Sequence, residues 1–285
     1  MVANRSETDY RQTIETWRDG METQLRAENG WLTVVGLYWL KKGENTVGSA
    51  PNSDVVLPGS APAKLGVIEF DGAATVFRVK PGVEAQIDGV SGRSATLRDD
   101  HDDSGATLVS TGSVSFFIIK RGEQYAVRVK DAGHSARRSF KGRSWYPVDE
   151  RYRVRATFRP HTSERSLDLE TSAGTTTALA NPGVVEFDLR GKHFRLEAFA
   201  ANEGQVWLIF RDKTSGLTTY GAGRFLYADV NEAGIVDLDF NKAYHPPCAF
   251  THFATCPLPP RQNVLPVSIR AGERYARSRR SPAKA

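Results

Sequence analysis

The chain has 285 residues, 40% hydrophobic and 25% charged, a composition that fits a soluble globular protein of one large or two medium domains. Two cysteines make no disulfide framework, and the longest apolar-rich run, residues 31–40, falls far short of the ~20 residues a membrane span needs. The net charge of +5 sits entirely in residues 270–285, where six basic side chains face only Glu273; the other 269 residues hold 32 groups of each sign, so the charge signals no nucleic-acid groove in the folded part.

Residues 1–12 are polar and show no export leader, so the thiols are expected to be reduced and the compartment cytoplasmic. Across residues 6–29, Tyr10, Ile14, Trp17, Met21 and Leu25 recur at spacings of four, three, four and four, one face of a helix. Ser6 with Asp9 reads as its capping pair and Asn29-Gly30 as its stop. Residues 1–30 are therefore an N-terminal helix, and its stripe is expected to pack on the domain that follows.

From Trp31 the pattern turns to strands: LTVVGLYWL, DVVL, GVIEF, TVFRVK, VSFFIIK and QYAVRVK, punctuated by Gly, Pro, Asn and Asp. Short segments at close turn spacing predict an antiparallel sandwich over 31–133. Within it, residues 43–89 (GENTVGSAPNSDVVLP, GVIEFDGAATVFRV and an IDG turn) resemble a forkhead-associated (FHA) domain. The resemblance implies phosphothreonine reading through an Arg after the first strand's glycine, with a Ser and a His in the next loop. Here Ser49 follows Gly48, and residues 59–64 supply no His. A phosphate needs fixed cationic donors, so the FHA-like shape is expected without phosphopeptide reading. The run Asp99, Asp100, His101, Asp102, Asp103 offers oxygen ligands for a divalent cation. Consecutive residues cannot all point one way, however, and the run reads as a solvated loop.

Residues 130–147 read as a hinge. Arg137, Arg138, Lys141 and Arg143 cluster there with no acid close in sequence, either as a linker or, with Trp145, as an anion holder. Residues 134–269 then give strand after strand: YRVRATF, RSLDLET, TTTALA, GVVEFDL, KHFRLEAFA, QVWLIFRD, GRFLYADV and GIVDLDF. Tyr152, Val154, Ala156 and Phe158 alternate with Arg151, Arg153, Arg155 and Thr157. Seven or eight strands in meander order predict an up-and-down barrel or curled sheet with a ligand-sized mouth, followed by a Cys/Pro-rich cover segment. The fold class is mainly β: an N-terminal helix, an FHA-like β-sandwich, then an antiparallel meander β-barrel or curled sheet. Residues 270–285 read as a basic, disordered tail.

The stretches FRDKTSG at 210–216, TYGAGRFL at 219–226 and DFNKAYHPPCAF at 239–250, with Cys256-Pro257 and Asn263, resemble the family called domain of unknown function 1684. The resemblance extends more loosely from about Trp31, and it implies no particular activity. Within these motifs His245, Cys248, His252 and Cys256, spaced H-x2-C-x3-H-x3-C, supply the donor types of tetrahedral zinc. All four lie within twelve residues, whereas closed zinc sites join two separated pairs; the other reading is two buried, reduced cysteines in a Pro-rich cover strand, or a disulfide if the cell interior is oxidising.

A second set is Tyr220, Arg224, Asp239, Asn241 and Tyr244. Asp239 and Asn241 are two apart and share a face if they lie on a strand. The set reads as a buried network tying the cover to the barrel, or as the polar floor of a pocket. No nucleophile elbow, phosphate-binding glycine loop, dinucleotide fingerprint or HExxH is present. The expected function is binding of a small polar or anionic ligand, in the C-terminal β domain or at the domain interface, through Arg138, Trp145, Tyr220, Arg224, Asp239, Asn241 and Tyr244. The alternatives are a hydrolase-type enzyme, metal-dependent or using Asp239 or Cys248, and a protein-interaction module in the FHA-like half. A small-molecule partner is expected, with no specific nucleic acid and no membrane; the oligomeric state stays open.

Overall fold

A computed structural model of the protein describes residues 3–274, with side chains from residue 8 onward. Two compact units share the chain: residues 25–140 with 250–254 in one, and residues 3–24, 141–249 and 255–274 in the other. Among the described residues no helix is long and apolar enough to cross a membrane.

Helix α1 (Ala3–Arg26) starts before the predicted cap, so Ser6 lies inside it; the Ser6 side chain is outside the described residues. The predicted stripe is the buried one: Ile14 and Leu25 are enclosed, and Tyr10, Trp17 and Met21 are half-buried. Its packing differs from the expectation, because residues up to Gln24 belong with the second unit. Trp17 meets Trp145 edge-on at 5.7 Å and Tyr244 at 6.4 Å, and Tyr10 Oη donates to Asp239 at 2.8 Å. An aromatic stripe with polar tips needs acceptors as well as apolar surface, and the second unit supplies both.

The first unit is a sandwich of two sheets. One orders β1 (Val34–Trp39), β11 (Gln124–Asp131), β10 (Val114–Arg121), β9 (Val109–Thr111), β6 (Gln86–Ile87) and β7 (Val90–Ser91). The other orders β3 (Val55–Val56), β2 (Gly43–Gly48), β4 (Gly66–Phe70), β5 (Thr75–Val79) and β8 (Ser94–Thr96). Alternate residues Val114, Phe116 and Ile118 of β10 and Val127 and Val129 of β11 are buried with Ile68 and Phe77, as the two-residue period of a half-buried strand requires. Helix α2 (Ser135–Ser139) closes this unit.

In the second unit β12 (Ser144–Trp145) pairs with β21 (Glu273–Arg274). The main sheet orders β19 (Arg224–Asp229), β18 (Gln205–Phe210), β17 (Lys192–Ala200), β16 (Gly183–Leu189), β13 (Arg153–Pro160) and β20 (Ile235–Asp239). It is a meander whose last strand returns to pair with β13, and a bridge between Val230 and Val236 spans the remaining gap, giving a nearly closed barrel. The sheet has six strands, not the predicted seven or eight, because β14 (Ser166–Glu170) and β15 (Thr176–Ala180) pair only with each other. That hairpin buries Leu169 alone, so it lacks the continuous apolar face a barrel strand needs.

Inward residues fill the barrel: Ala156, Val185, Phe187, Leu196, Leu208, Phe210, Leu226, Val236 and Leu238 share one cluster with Phe240, Leu265 and Ile269 of the cover. Each large apolar side chain so enclosed contributes about 1.5–3 kcal/mol. The expected mouth is therefore closed, and ligand-sized space must lie outside the barrel. Of the basic segment, residues 270–274 are placed in this fold, with Ala271 and Glu273 buried; the rest of the tail, 275–285, lies outside the described residues.

Candidate functional site

The barrel unit carries a groove of about 600 Å³ lined by Tyr10 and Arg11 of α1, the stretch 146–151, and Arg270. Its frame is a set of buried hydrogen bonds. Asn241 Nδ2 donates to Asp149 O at 2.9 Å and to Tyr10 Oη at 3.0 Å, while Asn241 Oδ1 accepts from Asp149 N at 3.0 Å. Asp239 Oδ2 accepts from Tyr10 Oη, and its Oδ1 accepts from Asn241 N and Nδ2 at 3.0 Å. Burial, reinforced by the charge of Asp239, pushes the Tyr10 phenol well above its ordinary range. Tyr146 is fixed from three sides: its N–H donates to Gly272 O at 2.9 Å, its carbonyl accepts from Arg18 Nη2 at 3.1 Å, and its hydroxyl meets Thr218 Oγ1 at 2.6 Å.

Charge in the groove divides into answered and unanswered groups. Arg151 forks onto Asp149 at 2.8 and 2.9 Å, and that hydrogen-bonded guanidinium holds the Asp149 carboxyl below its usual value. Arg11 and Arg270 are exposed, and neither guanidinium has a hydrogen bond or ion pair among the described residues. A guanidinium fork matches carboxylate or phosphate oxygens in pairs, so the groove offers two unanswered anion-binding groups beside two aromatic rings.

Under the cover lies a second polar cluster. Arg224 has no exposed surface; it donates to Ala271 O and, at 3.0 Å, to Ile269 O, and it pairs with Asp212 Oδ2 at 3.4 Å. Asp212 also accepts from Ile269 N and Thr214 Oγ1. Arg143 pairs with Glu273 at 2.6 Å, both buried, so one of the hinge cations does have an acid, one that sequence proximity conceals. His245 Nε2 accepts from Tyr220 N at 3.1 Å, and its Nδ1 lies 3.5 Å from Glu273 Oε1. Nε2 is therefore the acceptor and Nδ1 carries the proton. Burial holds the imidazole below its ordinary pKa. These buried charges are paired as burial demands, and they lock the cover to the barrel.

Cys248 and Cys256 lie side by side without a bridge. Cys248 N donates to Cys256 Sγ at 3.4 Å, Tyr220 Oη to Cys248 O at 2.8 Å, and Cys256 N to Ser172 Oγ at 3.0 Å. Hydrogen bonding from Cys256 outweighs the opposing effect of burial and, with help from Tyr220 and Ser172, brings the Cys248 thiol down to about 7.

The residues singled out from sequence thus separate. Asp239 and Asn241 meet, though not by strand alternation: β20 ends at Asp239, which caps the 3-10 turn Phe240–Lys242 through Asn241 N. Arg224 opens barrel strand β19 and reaches up to the cover carbonyls, in the same polar cluster as Tyr220 and His245. Tyr244 stacks on Tyr227 and meets Trp17 at a tilt, and Trp145 packs on Trp17 under the Arg18 guanidinium. Arg138 is exposed on α2 of the other unit and donates to Gly133 O at 2.8 Å. His252 is exposed in the 250–254 segment of that unit. Among the described residues, Asp99, Asp100 and His101 gather ligand atoms within 4.8 Å of one another, and Asp100 is already paired with Arg121 at 2.8 Å. In the first unit Ser49 Oγ, just past β2, donates to Ala61 O at 2.8 Å, a structural bond. Sequence reading missed Arg11, Tyr146 and Arg270; the one available signal was that Arg11 adjoins Tyr10 of the stripe.

The profile of the family described as "Protein of unknown function (DUF1684)" matches residues 138–274. An uncharacterized protein of Haloarcula marismortui, solved by NMR in solution, is 38% identical over 50% of this chain and 80% of its own, with a TM-score of 0.42. The FhaA FHA domain, solved in complex with the intracellular domain of a second protein, is 13% identical over 33% of this chain and 97% of its own, with a TM-score of 0.23. A further FHA domain, from a study of phosphothreonine-dependent interactions, is 15% identical over 34% of this chain and 96% of its own, also with a TM-score of 0.23. No curated protein matches the chain.

Proposed function

The chain belongs to the DUF1684 family, and from the groove of the barrel unit, on which the family match largely falls, we propose that it binds a small anionic ligand. The observation that carries this reading is the pair of guanidinium groups, Arg11 and Arg270, that have no partner among the described residues and line one groove of about 600 Å³, within the size range of small-molecule sites. Tyr10 and Tyr146 give flat apolar surface beside the two forks, and Asn241 and Asp239 hold the frame. The ligand class that fits is a carboxylate or phosphate compound with a compact polar body.

Thermal unfolding in the presence of inorganic phosphate, pyrophosphate or citrate, against sodium chloride at matched ionic strength, tests the reading. At least one anion raises the midpoint of the wild type by mass action, and the rise disappears in Arg11→Ala/Arg270→Ala. A rise of equal size in the double variant contradicts the assignment.

A further inference from the structure

We infer that Cys248 and Cys256 form a reversible dithiol–disulfide site, oxidised by hydroperoxides. The two thiols stand at the ends of the seven-residue stretch 249–255, whose central part, 250–254, belongs to the other unit. The chain returns so that Cys248 N reaches Cys256 Sγ at 3.4 Å. The return is fixed from the neighbouring hairpin, where Ser172 accepts from Cys256 N and donates its own N–H to Cys256 O at 2.8 Å. Tyr220 secures the other end through Cys248 O.

The two cysteines differ in the way such a pair requires. Cys248 is partly exposed and Cys256 is buried, so a small oxidant meets Cys248 first. Thiolates rather than thiols react with peroxides, and the hydrogen bonds that surround Cys248 favour its thiolate. His245 is not its base, because the Nε2 lone pair is taken by Tyr220 N.

The chemistry proceeds in two steps. The Cys248 thiolate attacks the distal oxygen of the hydroperoxide; the O–O bond breaks, the alkoxide or hydroxide leaves and takes a proton from solvent, and Cys248 becomes a sulfenic acid. The Cys256 thiol then attacks the Cys248 sulfur, forming the S–S bond and expelling water. In sum, two thiols lose two electrons and two protons, and the hydroperoxide is reduced to an alcohol, or to water, plus one water.

The experiment exposes the full chain to hydrogen peroxide and reads intact mass and free thiols, before and after dithiothreitol. Wild type loses two hydrogens and both alkylatable thiols, and dithiothreitol restores both. Cys256→Ser stops at the sulfenic acid, gains one oxygen and is trapped by dimedone. Cys248→Ser keeps its buried thiol under the same exposure, with circular dichroism confirming that both variants fold. Equal oxidation of the two single variants, or a disulfide-linked dimer in place of the internal bridge, overturns the inference.

Discussion

Asn241 holds Asp149 by both polar groups of its backbone, accepting from its N–H at 3.0 Å and donating to its carbonyl at 2.9 Å. A side-chain amide that mimics a strand partner in this way fixes the groove wall as firmly as a ladder would. Replacing it with Ala strands both Asp149 backbone groups and removes one hydrogen bond each from Asp239 and Tyr10, around a side chain with no exposure. Each buried group left unpaired costs about 1–3 kcal/mol, so Asn241→Ala is expected to lower stability by about 3 kcal/mol or more, read as a lower urea midpoint with unchanged slope.

Asp212 answers Arg224 in full burial. Removing one partner of such a pair leaves an uncompensated charge and costs about 3–5 kcal/mol. Asp212→Ala is expected to fall in that range by chemical denaturation. Asp212→Asn keeps an acceptor for Ile269 N and is expected to lose less. Equal losses for the two would assign the effect to the missing charge, with nothing left for the acceptor that Asn retains.

The acid response follows from His245. Its folded pKa lies below the ordinary 6.5 because burial disfavours the cation. Below about 6.5 the unfolded chain therefore binds a proton that the folded chain refuses, so the stability present above that pH is lost as pH falls towards the folded value. The slope from this one group reaches at most about 1.4 kcal/mol per pH unit. Urea midpoints between about pH 7.5 and pH 5.5 should fall less steeply in His245→Gln than in wild type, whatever the variant's starting stability; parallel falls would remove His245 from the account.

Gly272 is required by geometry. Its φ is +76°, and a Cβ there would lie 2.3 Å from Ala243 O. The same residue's carbonyl receives Tyr146 N–H, so a shift of this backbone moves the groove wall. Gly272→Ala is expected to destabilise by more than about 1 kcal/mol and to weaken anion binding, whereas Gly191→Ala in an open hairpin turn carries only the positive-φ cost.

Periodicity made the architecture legible. Tyr152 and Ala156 point into the barrel core with Val154 and Phe158 packed against it, and Arg153 and Arg155 point out, as alternation predicts. Period alone could not separate the β14–β15 hairpin from barrel strands, since Leu167, Leu169 and Leu179 alternate there as well; what it lacks is a second layer to cover it. The site was far less legible because its partners are distant in sequence. Tyr10 and Asp239 are 229 positions apart, Arg143 and Glu273 130, and Asp149 and Asn241 92. Local spacing cannot show which Arg will find an acid and which will stay unanswered, and that distinction defines the groove.

On the proposed reading, Arg11 and Arg270 bind an anion together. Isothermal titration of pyrophosphate and of citrate into wild type, Arg11→Ala, Arg270→Ala and the double variant tests it most directly. A charge-assisted hydrogen bond is worth about 1.5–3 kcal/mol, so each single variant is expected to bind roughly tenfold to a hundredfold more weakly, and the double variant to show no heat of binding. Wild-type affinity retained in the double variant, or no anion bound by the wild type, would contradict the account.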